Sequence, residues 1–254
     1  KKTKHLKETF TGFDGTEIPL QLRYYQVQGV LHLACMKRFL LGDDCGLGKT
    51  LQSIAAMCFL WESDPTLKVI ILTNKSAVSQ WKGEFEKFTT GITCFLSKGT
   101  PKKREKILQE FQDHSGSPSV LIMGYRSAVR DYGQMQDWEN YMVVYDEATA
   151  FKNPKTQIHQ VCKFLGDRAE RVWALTATLI KNNLVEGWGI YRVVKGDLFP
   201  PTHNSFIRNY CITRLQKLPR SNRQIMLVVG YRQDDIKRFR DIIDPYFIGR
   251  PKFA

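Results

Sequence analysis

One stretch limits what this chain can become more than any other. An apolar run, Leu40-Leu41, meets the turn Gly42-Asp43-Asp44-Cys45-Gly46-Leu47-Gly48, and Lys49-Thr50 then opens a helix-patterned segment, Leu51-Gln52-Ser53-Ile54-Ala55-Ala56. A strand, a glycine-rich turn and a helix in that order form a phosphate cradle, in which backbone N–H groups and the positive end of the helix converge on one anion. Glycines at Gly46 and Gly48 let the backbone approach phosphate oxygens without a Cβ in the way. Lys49 is placed to reach the β- and γ-phosphates, and the Thr50 hydroxyl is a candidate Mg²⁺ ligand. The strict form of the motif has glycine five places before Gly48; here that position is Asp43, with Gly42 one residue too early.

The rest of the pattern alternates strand and helix. Short apolar runs at Lys68–Thr73, Ile92–Leu96, Ser119–Met123, Tyr141–Tyr145 and Val172–Thr176 read as strands. Helical spacing separates them at Ser76–Phe88, Lys102–Phe111 and Lys155–Leu165, and a further helix pattern at Leu22–Met36 precedes the cradle. An early hairpin turns at Phe13-Asp14-Gly15-Thr16. Such alternation predicts an α/β fold, a parallel sheet with helices on both faces. In these sheets ligands bind beyond the carboxyl ends of the strands. The cradle, Asp146-Glu147 and Thr176-Ala177-Thr178 all follow predicted strand ends, so they should meet at one crevice. There Asp146 suits Mg²⁺, Glu147 suits the orientation or deprotonation of an attacking water, and Thr176 and Thr178 are placed to sense the γ-phosphate.

After Gly196 the character changes: Pro200-Pro201 breaks the chain, and the segment to Arg223 is rich in Arg, Asn and aromatics. Gln224–Val229 reads as a strand and Gln233–Ile243 as a helix. The division expected is a core at about 22–195 and a C-terminal extension at about 196–254. The formal net charge of +13 points to a polyanionic partner, nucleic acid before membrane. Basic groups at Lys102-Lys103-Arg104 and at Arg208, Arg214, Lys217, Arg220 and Arg223 are either part of that surface or solvated faces. The six cysteines form no Cys-x-x-Cys pair, which argues against a zinc ribbon or a disulfide framework and for a reducing, intracellular compartment. No apolar run approaches the roughly 20 residues of a membrane span, and the N-terminus, which begins at Lys1, is not a signal peptide and reads as that of a processed or expressed piece.

In their order these segments resemble the first RecA-like lobe of a superfamily-two helicase motor, specifically the Swi/Snf-type DNA translocases. Leu22-Arg23-Tyr24-Tyr25-Gln26 is similar to that family's adenine-reading motif, and Asp43–Thr50 to its form of the phosphate loop. Ser76–Phe85 and Gly124-Tyr125-Arg126-Ser127 resemble its two DNA-backbone segments. Asp146-Glu147-Ala148-Thr149 with Lys152-Asn153-Pro154 resembles its acidic box, and Leu175-Thr176-Ala177-Thr178 with Asn182-Asn183-Leu184 its coupling motif. Tyr246–Lys252 resembles the bridge into a second lobe. The resemblance implies a Mg²⁺-ATP hydrolase moving on double-stranded DNA. It assigns Arg23, Gln26, Gly46, Leu47, Gly48, Lys49, Thr50 and Leu51 to the nucleotide, and Lys75, Ser76, Gln80, Trp81 and Arg126 to the DNA backbone. Trp81 also lies at the apolar spacing of its helix, a core position. Thr149, Ala177 and Leu179 replace the family's usual His, Gly and Pro, and Gly249 stands where an Arg is usual.

The family's second lobe supplies an arginine finger, worth about 10³–10⁵ in rate in related phosphoryl transfers. This chain, without that lobe, is therefore expected to be a nearly inactive monomer. A nucleotide-gated DNA-binding module with little hydrolysis is the rival reading. A small-molecule kinase or GTPase is a third, disfavoured by the Asp-Glu-Ala box.

Overall fold

A computed structural model describes residues 3–12, 15–177, 183–217 and 224–252. The elements, in chain order, are β1 (Thr9–Thr11), β2 (Glu17–Pro19), α1 (Tyr24–Cys35), β3 (Arg38–Leu41), α2 (Lys49–Ser63), β4 (Lys68–Thr73), α3 (Val78–Phe88), β5 (Thr93–Ser97), α4 (Pro101–Asp113), β6 (Ser119–Gly124), α5 (Tyr125–Asp131), β7 (Tyr141–Asp146), α6 (Gln157–Arg168), β8 (Arg171–Leu175), α7 (Leu184–Val194), α8 (His203–Tyr210), β9 (Ile212–Lys217), β10 (Gln224–Gly230), α9 (Gln233–Ile243) and β11 (Phe247–Ile248). Seven strands form one sheet in the order β11-β3-β8-β7-β4-β6-β5. Every pairing in it is parallel. This is the parallel α/β sheet expected from the alternation, and the RecA-like lobe that the resemblance implies.

Successive side chains of a strand point to opposite faces, and the core divides accordingly. Phe39, Leu41, Val69, Ile71, Val120, Ile122, Met142, Val144, Trp173 and Leu175 pack with Leu33 of α1, Ile54 and Trp61 of α2, and Trp81 and Phe85 of α3. The alternate residues Leu40, Ile70, Leu72, Leu121, Met123, Val143, Tyr145, Val172 and Ala174 pack with α4 to α9. Both faces are thus covered, which is why these strands are apolar throughout rather than alternating.

The segment expected as an extension shares this core. Phe206 of α8 and Phe239 of α9 are fully buried within the cluster that covers the second face, and β11 adds the outer strand beside β3. β1 and β2 pair antiparallel; Phe13 and Asp14 of their turn lie outside the described residues, as do Arg220 and Arg223.

One basic residue leaves the surface. Arg104 is buried in a two-armed ion pair with Asp131, at 2.7 and 2.9 Å, and also donates to Gly99 O. A buried guanidinium paired in this way joins α4 to α5 and is unavailable to a polyanion, which removes it from the basic groups considered for nucleic acid.

No helix among the described residues is long and apolar enough to cross a membrane.

Candidate nucleotide-binding site

The crevice is built by register. Leu41 of β3 pairs with Leu175 of β8, and Leu175 pairs in turn with Asp146 of β7. Three neighbouring strands therefore end at one level, and the loops that leave them open on the same edge. Thr176, fully buried, continues the contact by donating its N–H to Leu41 O at 3.1 Å. Thr178 lies outside the described residues.

Beyond β3 the loop turns through Gly46 and Gly48, at φ of 84° and 75°. Residues with a Cβ adopt that region at a cost, and a Cβ on Gly48 would also stand 2.6 Å from Gln26 Nε2. Gly48 caps α2 and has no side chain with which to bond the helix's first turn. The orphan N–H groups of that turn, with Thr50 and Leu51 among its residues, remain directed at the crevice together with the positive end of the helix dipole. Lys49 Nζ donates to Asp43 O at 2.7 Å and to Asp44 O at 3.4 Å, so the ammonium is held across the loop. A cradle of backbone donors with one lysine fits a polyphosphate.

Gln26 stands on the loop's other flank. Its Oε1 accepts the Arg23 N–H at 2.9 Å, closing the start of α1, and its Nε2 donates to Leu47 O at 3.3 Å. The expected adenine reader is thereby tied to the phosphate loop, with Arg23 exposed beside it.

The acidic tip is more constrained than its sequence suggests. Asp146 Oδ2 accepts both Thr73 Oγ1 at 2.7 Å and Trp81 Nε1 at 2.8 Å, and Tyr125 OH donates to Asp146 O at 2.8 Å. Two donors on one oxygen fix the carboxylate's orientation and leave Oδ1 for a cation. Glu147 sits at φ 58°, ψ 63°, the left-handed region. For a non-glycine residue this conformation costs of the order of 1–3 kcal/mol and is characteristic of functional sites. Burial raises the Glu147 pKa and the neighbouring Asp146 charge raises it further, while Lys49 opposes both. A carboxylate shifted towards neutral pH in this way suits a general base.

Two of the expected DNA contacts, Lys75 and Arg126, lie on neighbouring segments. Thr73 of β4 pairs with Gly124 of β6, and Lys75 and Arg126 each come two residues later. The two segments touch, since a Cβ on Gly124 would lie 3.6 Å from Lys75 Cα. Lys75, Ser76, Gln80 and Arg126 are all exposed.

Trp81 does not join them. It is 2% exposed, packed against Phe85 with ring centroids 6.3 Å apart, and its indole N–H is spent on Asp146. The expectation that Trp81 touches DNA is corrected by its burial: the apolar spacing of α3 turned the ring inward, and the buried N–H found a carboxylate. Sequence reasoning also missed Thr73, Tyr125 and the partner of Asp43. A polar residue closing the apolar run at Thr73 was the visible signal for the first. Nothing local marked Tyr125, and the acidic residue at a glycine position was the one trace of the Asp43 pairing.

Comparisons with known proteins place the chain in a family. A family model described as "SNF2-related domain" matches residues 25–252. The chain is 31% identical over 185 residues to the mouse (Mus musculus) protein named "Chromodomain-helicase-DNA-binding protein 1-like", covering 71% of this chain and 20% of that protein. It is 25% identical over 266 residues to the human (Homo sapiens) "Lymphoid-specific helicase", covering 98% of this chain and 31% of that protein. The solved Sulfolobus solfataricus SWI2/SNF2 ATPase core in complex with dsDNA superposes with a TM-score of 0.75 at 25% identity, over 92% of this chain and 45% of that one. The chain thus spans less than a third of either curated relative. With its matched model running almost from end to end, it belongs to the SNF2-related family.

Proposed function

We propose that this chain is the first ATPase lobe of a motor that hydrolyses ATP, with Mg²⁺, to move on double-stranded DNA once a second lobe completes the site. Lys49 and the first turn of α2 bind the β- and γ-phosphates; Arg23 and Gln26 take the adenine side. Thr50 and Asp146 are the residues that would hold Mg²⁺, an ion commonly bound by one or two carboxylates together with substrate phosphates. When bound, that ion neutralises charge on the β- and γ-oxygens. Glu147 accepts the proton of the attacking water. Thr176, beside both strands, passes the state of the phosphate site towards the segment that leaves β8. Lys75, Ser76, Gln80 and Arg126 hold DNA by its backbone, because movement along arbitrary sequence cannot depend on base edges.

The observation that carries this reading is the common level of three strand tips, from which Lys49, Asp146 and Glu147 follow, with the exposed cations Lys75 and Arg126 just beyond the ends of β4 and β6 on the same sheet edge. The test is ATP turnover by the full-length protein with and without duplex DNA, combined with binding at graded salt. DNA should stimulate turnover, and log affinity should fall linearly with log salt. Lys75→Ala and Arg126→Ala should each reduce that slope by about 1 and weaken all sequences alike. A slope near zero removes the backbone-contact assignment, and turnover indifferent to DNA removes the motor.

A further inference from the structure

We propose that Arg250 is a positioning residue of the nucleotide site: it holds the opening of the phosphate loop in its binding geometry. Nucleotide affinity then depends on the segment that leaves the sheet after β11. This rests on reading the loop as a nucleotide site.

Asp43, at the position where a phosphate loop usually has glycine, is fully buried. Its carboxylate is gripped by both arms of one guanidinium: Arg250 Nε donates to Oδ1 and Nη2 to Oδ2, each at 2.7 Å. The Arg250 N–H adds a third bond to Oδ1 at 3.2 Å, and Gln52 Nε2 of α2 a bond to Oδ2 at 3.0 Å. Arg250 Nη2 also donates to Gln52 Oε1 at 3.1 Å, and Nη1 donates to Tyr25 O, next to Gln26. One side chain therefore touches the phosphate loop, the helix after it and the adenine-side helix. Planar, fork-shaped and permanently charged, arginine is the residue suited to such a junction.

The backbone repeats the connection. Gly42 N–H donates to Ile248 O at 2.6 Å, Asp44 N–H to Arg250 O at 3.0 Å, and the Lys252 N–H to Asp44 Oδ2 at 3.1 Å. Residues 42, 43 and 44 are thus all bonded to residues 248–252. The early glycine has a separate reason: a Cβ on Gly42 would lie 2.3 Å from the Phe247 ring. Gly42 clears space for β11 rather than for phosphate.

The consequence for nucleotide runs through Lys49. Its ammonium is held by the carbonyls of Asp43 and Asp44, the two residues that Arg250 and Lys252 fasten. β11 contributes only two residues to the sheet. Displacement of the chain beyond Arg250 therefore pulls directly on the residues that aim Lys49, and by linkage an occupied phosphate site resists that displacement to the same extent.

The experiment measures the dissociation constant of a fluorescent ATP analogue, alongside the thermal melting midpoint, for the wild-type protein, Arg250→Lys and Arg250→Ala. Binding is read well below each midpoint. Arg250→Ala should weaken binding by about 5–150-fold, the usual span for two coupled sites. Arg250→Lys, which keeps the charge without the fork, should recover only part of the loss, and added guanidinium should restore binding to Arg250→Ala but not to Arg250→Lys. An Arg250→Ala protein that melts earlier yet binds with wild-type affinity shows a purely structural ion pair and overturns the proposal. If Arg250→Ala does not fold, wild-type affinity in Arg250→Lys overturns it equally. Failure of the wild-type protein to bind the analogue would instead sink the nucleotide-site reading beneath it.

Discussion

Exchanging Glu147 for Gln will leave ATP bound and stop its hydrolysis. The substitution keeps the size of the side chain and removes its ability to take a proton, and positioned general bases contribute about 10²–10⁴ in rate. Binding survives because nothing that shapes the cradle passes through Glu147: Lys49 is held by the carbonyls of Asp43 and Asp44, and the loop geometry by Gly46 and Gly48. Removing a negative charge from beside the phosphates should if anything tighten the complex. The assay is DNA-stimulated turnover of the full-length protein together with nucleotide affinity. Turnover within tenfold of wild type would dismiss Glu147 as the base. The pH profile supplies an independent check. Burial and the Asp146 charge hold the Glu147 pKa above its ordinary value, and the working form is the carboxylate. Activity should therefore be lost, as pH falls, at a higher pH than an unperturbed glutamate would allow. That acid limb should be missing from whatever residual rate Glu147→Gln retains.

The parts of this site that could be read from the sequence are those whose signals are local. An apolar run ending in Asp146-Glu147, or in a glycine turn and Lys49, carries its meaning within about ten residues, and a parallel sheet then forces the strand ends together. The helix Leu22–Met36 and the helix Gln233–Ile243 were legible for the same reason, through their spacing. α7 and α8 were not. α7 (Leu184–Val194) contains two glycines and several β-branched residues, poor helix formers on their own; it is held by burial of Trp188, Tyr191 and Val194 and by the Asn183 cap. α8 comes after Pro200-Pro201 and starts on a Thr202 cap, a readable signal masked by the Arg- and Asn-rich composition around it. The order of the strands had no local signature at all. Nor did the pairing of Asp43 with Arg250, which lies 207 residues away; the acidic residue in a glycine position was its sole trace. Trp81 is the instructive failure, because family resemblance pointed outward and helix periodicity pointed inward, and packing decided.

Trp81→Phe separates those two directions experimentally. Phenylalanine retains most of the buried ring and deletes the N–H that reaches Asp146 at 2.8 Å, leaving Thr73 as the remaining donor to Oδ2. A hydrogen bond to a charged group is worth about 1.5–3 kcal/mol, so steps that need Asp146 in its present orientation should slow by about 10–150-fold. DNA-stimulated turnover should fall by that factor and the Mg²⁺ concentration needed for half-maximal rate should rise. DNA affinity and its salt slope should stay unchanged, because the residue has no face towards solvent. The neighbouring substitution Gln80→Ala should give the reverse pattern, with weaker DNA binding and a normal Mg²⁺ requirement. Trp81 comes immediately after Gln80 and Tyr125 immediately before Arg126, and both aromatics donate to Asp146 while their neighbours face outward. Either residue proposed to contact DNA is thus one peptide unit from an aromatic side chain bonded to Asp146, the aspartate proposed to hold Mg²⁺. If Trp81→Phe instead lost DNA affinity while keeping its turnover rate and its Mg²⁺ requirement, the indole would belong to the DNA surface, and the path from Gln80 through Trp81 to Asp146 would not exist.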